Sequence, residues 1–171
     1  CMNLEQLIQQ KCQEAQQILG LLDFPAAQQN ERSALTLLAL LDLKPNQAWH
    51  EASDPLIGIT PIMDWCRQHY AKIYAPNTRE TFRRQTMHQF IQAGIVAENP
   101  DQPDRSTNSP KWCYQISPEA LILFQAFNSE QWLYQLAHFQ RTQPSLRKAY
   151  AQLREIQRIP VALSQELIAY L

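Results

Sequence analysis

Asn77-Thr78-Arg79-Glu80-Thr81-Phe82-Arg83-Arg84-Gln85-Thr86-Met87-His88-Gln89-Phe90-Ile91-Gln92-Ala93-Gly94 carries two patterns at once. Wound at about 100° per residue, Phe82, Thr86, Met87, Phe90, Ile91 and Ala93 share one side of a helix. Thr78, Thr81, Arg84, Gln85, His88 and Gln92 lie on or beside the opposite side. Asn77 is the expected cap, with Glu80 placed as in a capping box, and Gly94 is the expected stop. The polar side holds the residue types that recognise base edges: Arg for guanine, Gln for adenine, Thr for the thymine methyl. Arg79 and Arg83 fall nearer the apolar side and are expected at the flank, touching phosphates or pairing with an acid such as Asp64. Against this stands a plainer account, because Glu80 and Arg84 are four apart and such a pair is ordinary on a solvated helix face.

The neighbouring segments give the helix a context. Thr60-Pro61 predicts a helix start, threonine cap followed by proline, for a helix through Tyr70. A short connection from Ala71 to Pro76, with Lys72 in it, joins the two helices. After Gly94 come two β-like pieces, Ile95 to Glu98 and Lys111 to Ile116, joined by a proline-rich polar loop from Asn99 to Pro110. Upstream, an amphipathic helix is expected over about 3–19, with Gly20 at its end. Asn30 is expected to cap a mostly apolar helix that Lys44-Pro45-Asn46 ends. A short helical turn is expected near Trp49. Downstream, Ser117-Pro118 starts a helix through Phe127, and two more helical patterns cover about 129–141 and 145–157. The order predicts a mainly α fold: a winged helix-turn-helix with a small β-hairpin wing and a C-terminal helical extension. The expected division is 1–24 as an N-terminal helix, 25–117 as the winged helix-turn-helix, and 118–171 as the extension.

Composition first argues the other way. The chain has 171 residues, with 15 basic and 16 acidic side chains, a net of −1. Nucleic-acid binders usually carry a basic surplus. Split by segment, residues 1–64 hold 3 basic and 8 acidic residues, residues 65–94 hold 5 and 1, and residues 95–171 hold 7 of each. The near-neutral total hides a cationic stretch on the two helices that a helix-turn-helix brings to a duplex. Three glycines and no GxGxxG or GxxxxGK[ST] argue against a phosphate-binding glycine loop. Cys1, Cys12, Cys66 and Cys113 form no CxxC, and His50, His69, His88 and His138 form no HxxxH. No metal site, catalytic residue or small-molecule cofactor is therefore expected. No apolar run approaches the ~20 residues of a membrane span, and no signal peptide is apparent, so a cytoplasmic protein is expected.

Several ordered strings also look familiar. Ala27-Gln28-Gln29-Asn30-Glu31-Arg32-Ser33-Ala34-Leu35 and Pro55-Leu56-Ile57-Gly58-Ile59-Thr60-Pro61-Ile62-Met63 resemble the N-terminal region of the BsuBI/PstI family of type II restriction endonucleases. So do Tyr74-Ala75-Pro76-Asn77-Thr78-Arg79-Glu80-Thr81-Phe82-Arg83-Arg84-Gln85-Thr86 and Asn108-Ser109-Pro110-Lys111-Trp112-Cys113-Tyr114-Gln115-Ile116. The resemblance runs from about residue 3 to about 161. It implies a helix-turn-helix DNA-recognition domain, followed in the family by a PD-(D/E)XK domain that cleaves DNA with magnesium. It also implies a homodimer on a short palindrome. Such a nuclease centre needs carboxylates around the ion and a lysine beside it, and is expected to be absent from these residues.

The candidate DNA-binding residues are Thr78, Arg79, Thr81, Arg83, Arg84, Gln85 and His88 on the helix, and Arg105 and Lys111 on the wing. The expected partner is double-stranded DNA, a short palindrome met by two copies of the chain. The expected role is the recognition domain of a type II restriction endonuclease whose nuclease domain is missing from this chain. The alternative is a stand-alone winged-helix transcriptional regulator. A winged helix that binds only protein is a third reading, favoured by the acidic first 64 residues.

Overall fold

Asn30 opens the central helix, α2 (Glu31–Leu40), its side chain accepting a hydrogen bond from the Ser33 amide at 2.8 Å. The expected cap is therefore present. All eight residues from Ser33 to Leu40 are buried, because other elements surround α2. The protein is seen here in a computed structural model that describes residues 2–143. The 145–157 pattern and the apolar tail lie outside those residues.

Around α2 pack α1 (Leu4–Leu21), α3 (Ile59–Tyr70) and a long helix α4. α4 is continuous over 79–92 but not uniform. It is α-helical over Arg79–Thr81, π-helical over Phe82–Met87 and α-helical again over His88–Gln92. Two short strands, β1 (Val96–Glu98) and β2 (Tyr114–Ile116), pair antiparallel with Val96 opposite Ile116. Ile57, just before α3, adds an isolated antiparallel bridge to Tyr114. Then α5 (Pro118–Gln125) and α6 (132–143) follow. The described residues are thus mainly helical with a small two-stranded sheet.

Three helices end in the same way. In α1, α2 and α4 a residue with positive φ follows the last turn: Asp23 at 62°, Asp42 at 48° and Gly94 at 77°. In each, the next amide reaches back to a carbonyl five residues earlier, as from Phe24 to Leu19, Leu43 to Leu38 and Ile95 to Phe90. Gly94 is the stop the sequence suggests. The other two differ from expectation. Gly20 sits inside the last turn of α1, where a Cβ would meet Gln29 Oε1 at 3.2 Å. α2 stops before Lys44-Pro45, at Asp42, an acid type that tolerates the left-handed conformation.

Two helix starts differ from the sequence pattern. Thr60 does not cap α3: Gly58 holds the cap position, with no side-chain bond. Its lack of a Cβ is required, since one would stand 2.9 Å from the Trp112 carbonyl. Asn77 does not cap α4 either, because Pro76–Thr78 forms a 3-10 turn that leads directly into the helix. The Glu80 carboxylate turns instead to arginines. Ser117 does cap α5, accepting from the Ala120 amide, with Pro118 at the first position. The turn at Trp49–Glu51 is also present.

One buried cluster runs through the chain. It includes Ile18 and Leu19 of α1, Leu35 and Leu37 to Leu40 of α2, Phe82 and Phe90 of α4, Phe124 of α5 and Phe139 of α6. At about 25 cal/mol per Å² of apolar surface, each fully buried Leu or Phe contributes roughly 1.5–3 kcal/mol. Phe24 meets Phe90 edge-on at 5.5 Å, and Phe127 meets Trp49 at 5.3 Å and Trp132 at 5.0 Å. The first contact holds the connection after α1 against α4, and the other two join the Trp49 turn, the end of α5 and the start of α6.

Candidate nucleic-acid interface

The apolar side of α4 is buried as the helical spacing predicts: Phe82, Thr86, Met87 and Phe90 are fully covered, and Ile91 and Ala93 nearly so. That burial fixes which side chains remain outside. Arg79, Arg83, Arg84, Gln85, His88 and Gln92 are exposed, and Thr78 and Thr81 are half-buried. Upstream, the turn is fastened to the body of the domain. Tyr74 stands edge-on to Phe82 at 5.0 Å, and Lys72 pairs with Glu31 at 3.4 Å. α3 is tied to the end of α2 by Trp65 Nε1, which donates to Asp42 at 2.8 Å, and by Tyr70, whose hydroxyl donates to the Leu43 carbonyl at 2.8 Å. The two helices and their turn are therefore held on α2 by directed bonds as well as packing.

On the outer face, Glu80 sits between two arginines. Arg84 Nε contacts Glu80 Oε2 at 2.9 Å, and Arg83 lies at 4.0 Å from Oε1. The Arg84 side chain is 80% exposed. Arg83 does not pair with Asp64, which instead lies 3.7 Å from Arg67. Among the described residues, Arg79, His88 and Lys111 form no ion pair. Arg79 and Arg83 line one side of an open cleft of about 400 Å³. Gly58 to Pro61 form another wall, and Thr107 to Tyr114, including Lys111, form the third. The cleft thus gathers three cations from two separate parts of the chain, with serine, threonine and asparagine side chains beside them.

The loop between β1 and β2 is organised around Asn99. Its φ is 46°, it is fully buried, and its Oδ1 accepts from the Cys113 amide at 2.9 Å and from Arg105 Nη1 at 2.9 Å. Arg105 also meets Asp101 through both guanidinium nitrogens, at 2.7 and 3.2 Å, and its side chain is only 7% exposed. Arg105 was expected to present its charge outward on the wing. It is turned inward, because Asp101 and Asn99 offer it a fork of oxygens within the same loop. The hydrogen bonds from Arg105 hold the Asp101 carboxyl below its ordinary range. Cys113 Sγ lies 3.1 Å from Arg105, and burial moves its thiol pKa upward. Lys111 remains exposed.

One residue at this surface was not anticipated. Arg32, from α2, crosses to α4: its Nε donates to Thr86 Oγ1 at 3.0 Å, and Nη2 approaches Gln85 Oε1 at 3.4 Å. Nothing local marks Arg32, since its partners lie more than fifty residues away.

One acid-x-lysine spacing occurs, Asp42-Leu43-Lys44, but Asp42 is taken up by Trp65 and lies 3.8 Å from Lys44 at the end of α2. Among the described residues no group of three or more His, Cys, Asp or Glu side chains could hold a metal ion. The buried thiol of Cys66 is pushed up to about 12 and that of Cys12 to about 11, which leaves both protonated and poor nucleophiles at neutral pH. Among the described residues no helix is long and apolar enough to cross a membrane.

Comparison with known proteins gives a consistent result. Residues 9–148 match the family model described as the BsuBI/PstI restriction endonuclease HTH domain. The chain is 51% identical to the type II restriction enzyme BsuBI of Bacillus subtilis over 152 residues, 89% of this chain and 48% of that protein. It is 38% identical to the type II restriction enzyme AplI of Arthrospira platensis over 162 residues, 95% of this chain and 48% of that protein. The chain spans about half the length of these curated relatives. Among solved structures, that of the SdaI restriction endonuclease superposes with a TM-score of 0.72 at 35% identity, covering 81% of this chain and 43% of that one.

Proposed function

The chain belongs to the BsuBI/PstI restriction endonuclease helix-turn-helix family, and from that premise we propose that it is the part of a type II restriction endonuclease that recognises double-stranded DNA. In this reading the fold is a winged helix-turn-helix. α3, the turn and α4 form the motif, the bridge at Ile57 completes a small three-stranded arrangement, and the 99–113 loop is the wing. α4 enters the major groove. Arg84, Gln85 and His88 face base edges, with Thr78 and Thr81 at the start of the helix. Arg79, Arg83 and Lys111 line the cleft and contact phosphates. Arg105 serves by holding the wing loop in shape. The observation that carries the reading is the convergence of Arg79, Arg83 and Lys111 on one cleft beside the exposed face of α4.

Two copies meeting a short palindrome would present two such helices, as a two-fold site requires. Cleavage, which is magnesium-dependent in this reading, belongs to residues other than those described. The protein works in the cytoplasm, on DNA reaching it there.

The test is selection of bound sequences from a random duplex pool, followed by Arg84→Ala. The expected result is a short palindromic preference, and a loss of roughly 1–3 kcal/mol confined to one base pair and its symmetry mate. Unchanged duplex affinity for Arg84→Ala at moderate salt would remove α4 from the groove.

A further inference from the structure

We propose that Arg32 is a positioning residue: it fixes the orientation of the Gln85 amide and so sets base preference at the position Gln85 meets. The inference rests on the reading of α4 given above. Arg32 lies on α2, outside the helix-turn-helix, yet its guanidinium reaches the π-helical part of α4. Nε is anchored on Thr86 Oγ1 at 3.0 Å, and Thr86 is fully buried, so the anchor cannot swing. The guanidinium is planar, and fixing Nε fixes the direction of Nη2. Nη2 lies 3.4 Å from Gln85 Oε1, a long contact that nonetheless favours one end of the amide.

The two ends of a glutamine amide are opposite in character, one an acceptor and the other a double donor. An exposed glutamine with no partner presents either end to a base and distinguishes poorly. With Oε1 turned toward Arg32, Nε2 is the end left facing away from α2. The carbonyl oxygen keeps a second lone pair, so bidentate contact with adenine, Oε1 from N6–H and Nε2 to N7, stays open in one sense only. Arg32 thereby removes the flipped amide, which would present the wrong pattern.

The experiment uses the full 171-residue chain and the duplex selected from a random pool. The pair met by Gln85 is the one whose preference disappears in Gln85→Ala. Arg32→Lys keeps the charge but cannot fork. It is expected to reduce preference at that pair about fivefold, with an unchanged salt slope. It is expected to add nothing in the Gln85→Ala background. Thr86→Val keeps the buried volume and removes the anchor, and is expected to weaken preference at the same pair. It decides the matter if Arg32→Lys fails to fold.

Retained preference in a folded Arg32→Lys or Thr86→Val protein would overturn the inference while leaving DNA recognition by α4 intact. A uniform loss over all sequences with a salt slope smaller by about one would make Arg32 a phosphate contact, and would overturn it equally. If the unmodified chain selects no sequence at all, the reading of α4 itself fails.

Discussion

Glu80→Gln should make this protein bind DNA more tightly. In the free protein the Glu80 carboxylate holds Arg84 at 2.9 Å and lies 4.0 Å from Arg83. All three side chains are at least half exposed, at 59%, 80% and 50%. Exposed pairs of this kind are worth about 0.3–0.5 kcal/mol each on a helix. A base contact by arginine is worth about 1–3 kcal/mol of discrimination, so the duplex wins the competition, but the pair must first be broken. Removing the carboxylate releases Arg84, releases Arg83 to a lesser degree, and takes one negative charge away from the phosphates. Together these give roughly 0.5–1 kcal/mol, or about a twofold to fivefold lower Kd. The effect should shrink at high salt, where exposed charges are screened within about 3 Å at 1 M. Fluorescence anisotropy with a labelled duplex at low and moderate salt measures it directly. A thermal melt run alongside should show a loss of no more than about 0.6–1 kcal/mol, the two pairs together. Weaker binding by a folded Glu80→Gln protein would refute the reasoning: Glu80 would then be pre-arranging Arg84 for its base rather than competing for it.

Other expectations follow from the same geometry. Lys111→Ala should weaken all duplexes about equally and lower the slope of log affinity against log salt by about one, checked by titration at several salt concentrations. Gly58→Ala should destabilise the fold, since its Cβ would stand 2.9 Å from the Trp112 carbonyl; denaturant unfolding should show a clear loss, and an unchanged midpoint would contradict the close approach. Arg105→Ala should loosen the 99–113 loop, seen as faster amide exchange at Cys113, whose amide is bonded to the same Asn99 oxygen. Because the Asp101 carboxyl is held below its ordinary range, its bond to Arg105 is complete above about pH 4 and is lost only as pH falls through the lowered value. Protection of the loop amides, taken relative to their intrinsic exchange at each pH, should therefore be flat at neutral pH and fall only in acid.

Local signals carried over well from sequence to structure, and distant ones did not. The apolar side of α4, the Asn30 and Ser117 caps and the Gly94 stop depend on neighbours within one or two turns. The ends of α1 and α2 escaped because Asp23 and Asp42, not glycine, take the left-handed conformation. Asn77 failed as a cap because Pro76 starts a 3-10 turn one residue earlier. Arg105 looked like any surface arginine, since its partners matter only once the loop closes on Asn99. Arg32 was invisible for a stronger reason: an arginine in an apolar helix says nothing of a threonine fifty-four residues later. The charge pattern of residues 65–94 marks a candidate surface, but tertiary contacts decide which cations point outward.

The π-helical segment from Phe82 to Met87 bears on how this surface can change over generations. A segment bonded from i to i+5 accommodates one residue more than the α-helical path between the same two anchors. Deleting a single codon there would let the helix close into regular α form without breaking the chain. The turn carrying Arg79 and Glu80 would then keep its phase relative to the turn carrying His88 and Gln92, because the wider winding of the π segment absorbs the extra residue. A one-residue deletion would thus redraw the exposed face only between Phe82 and Met87, and leave Phe90 and Ile91 in the core. An ordinary α-helix of equal sequence length would instead carry Arg79 and Glu80 about 100° out of phase with His88 and Gln92.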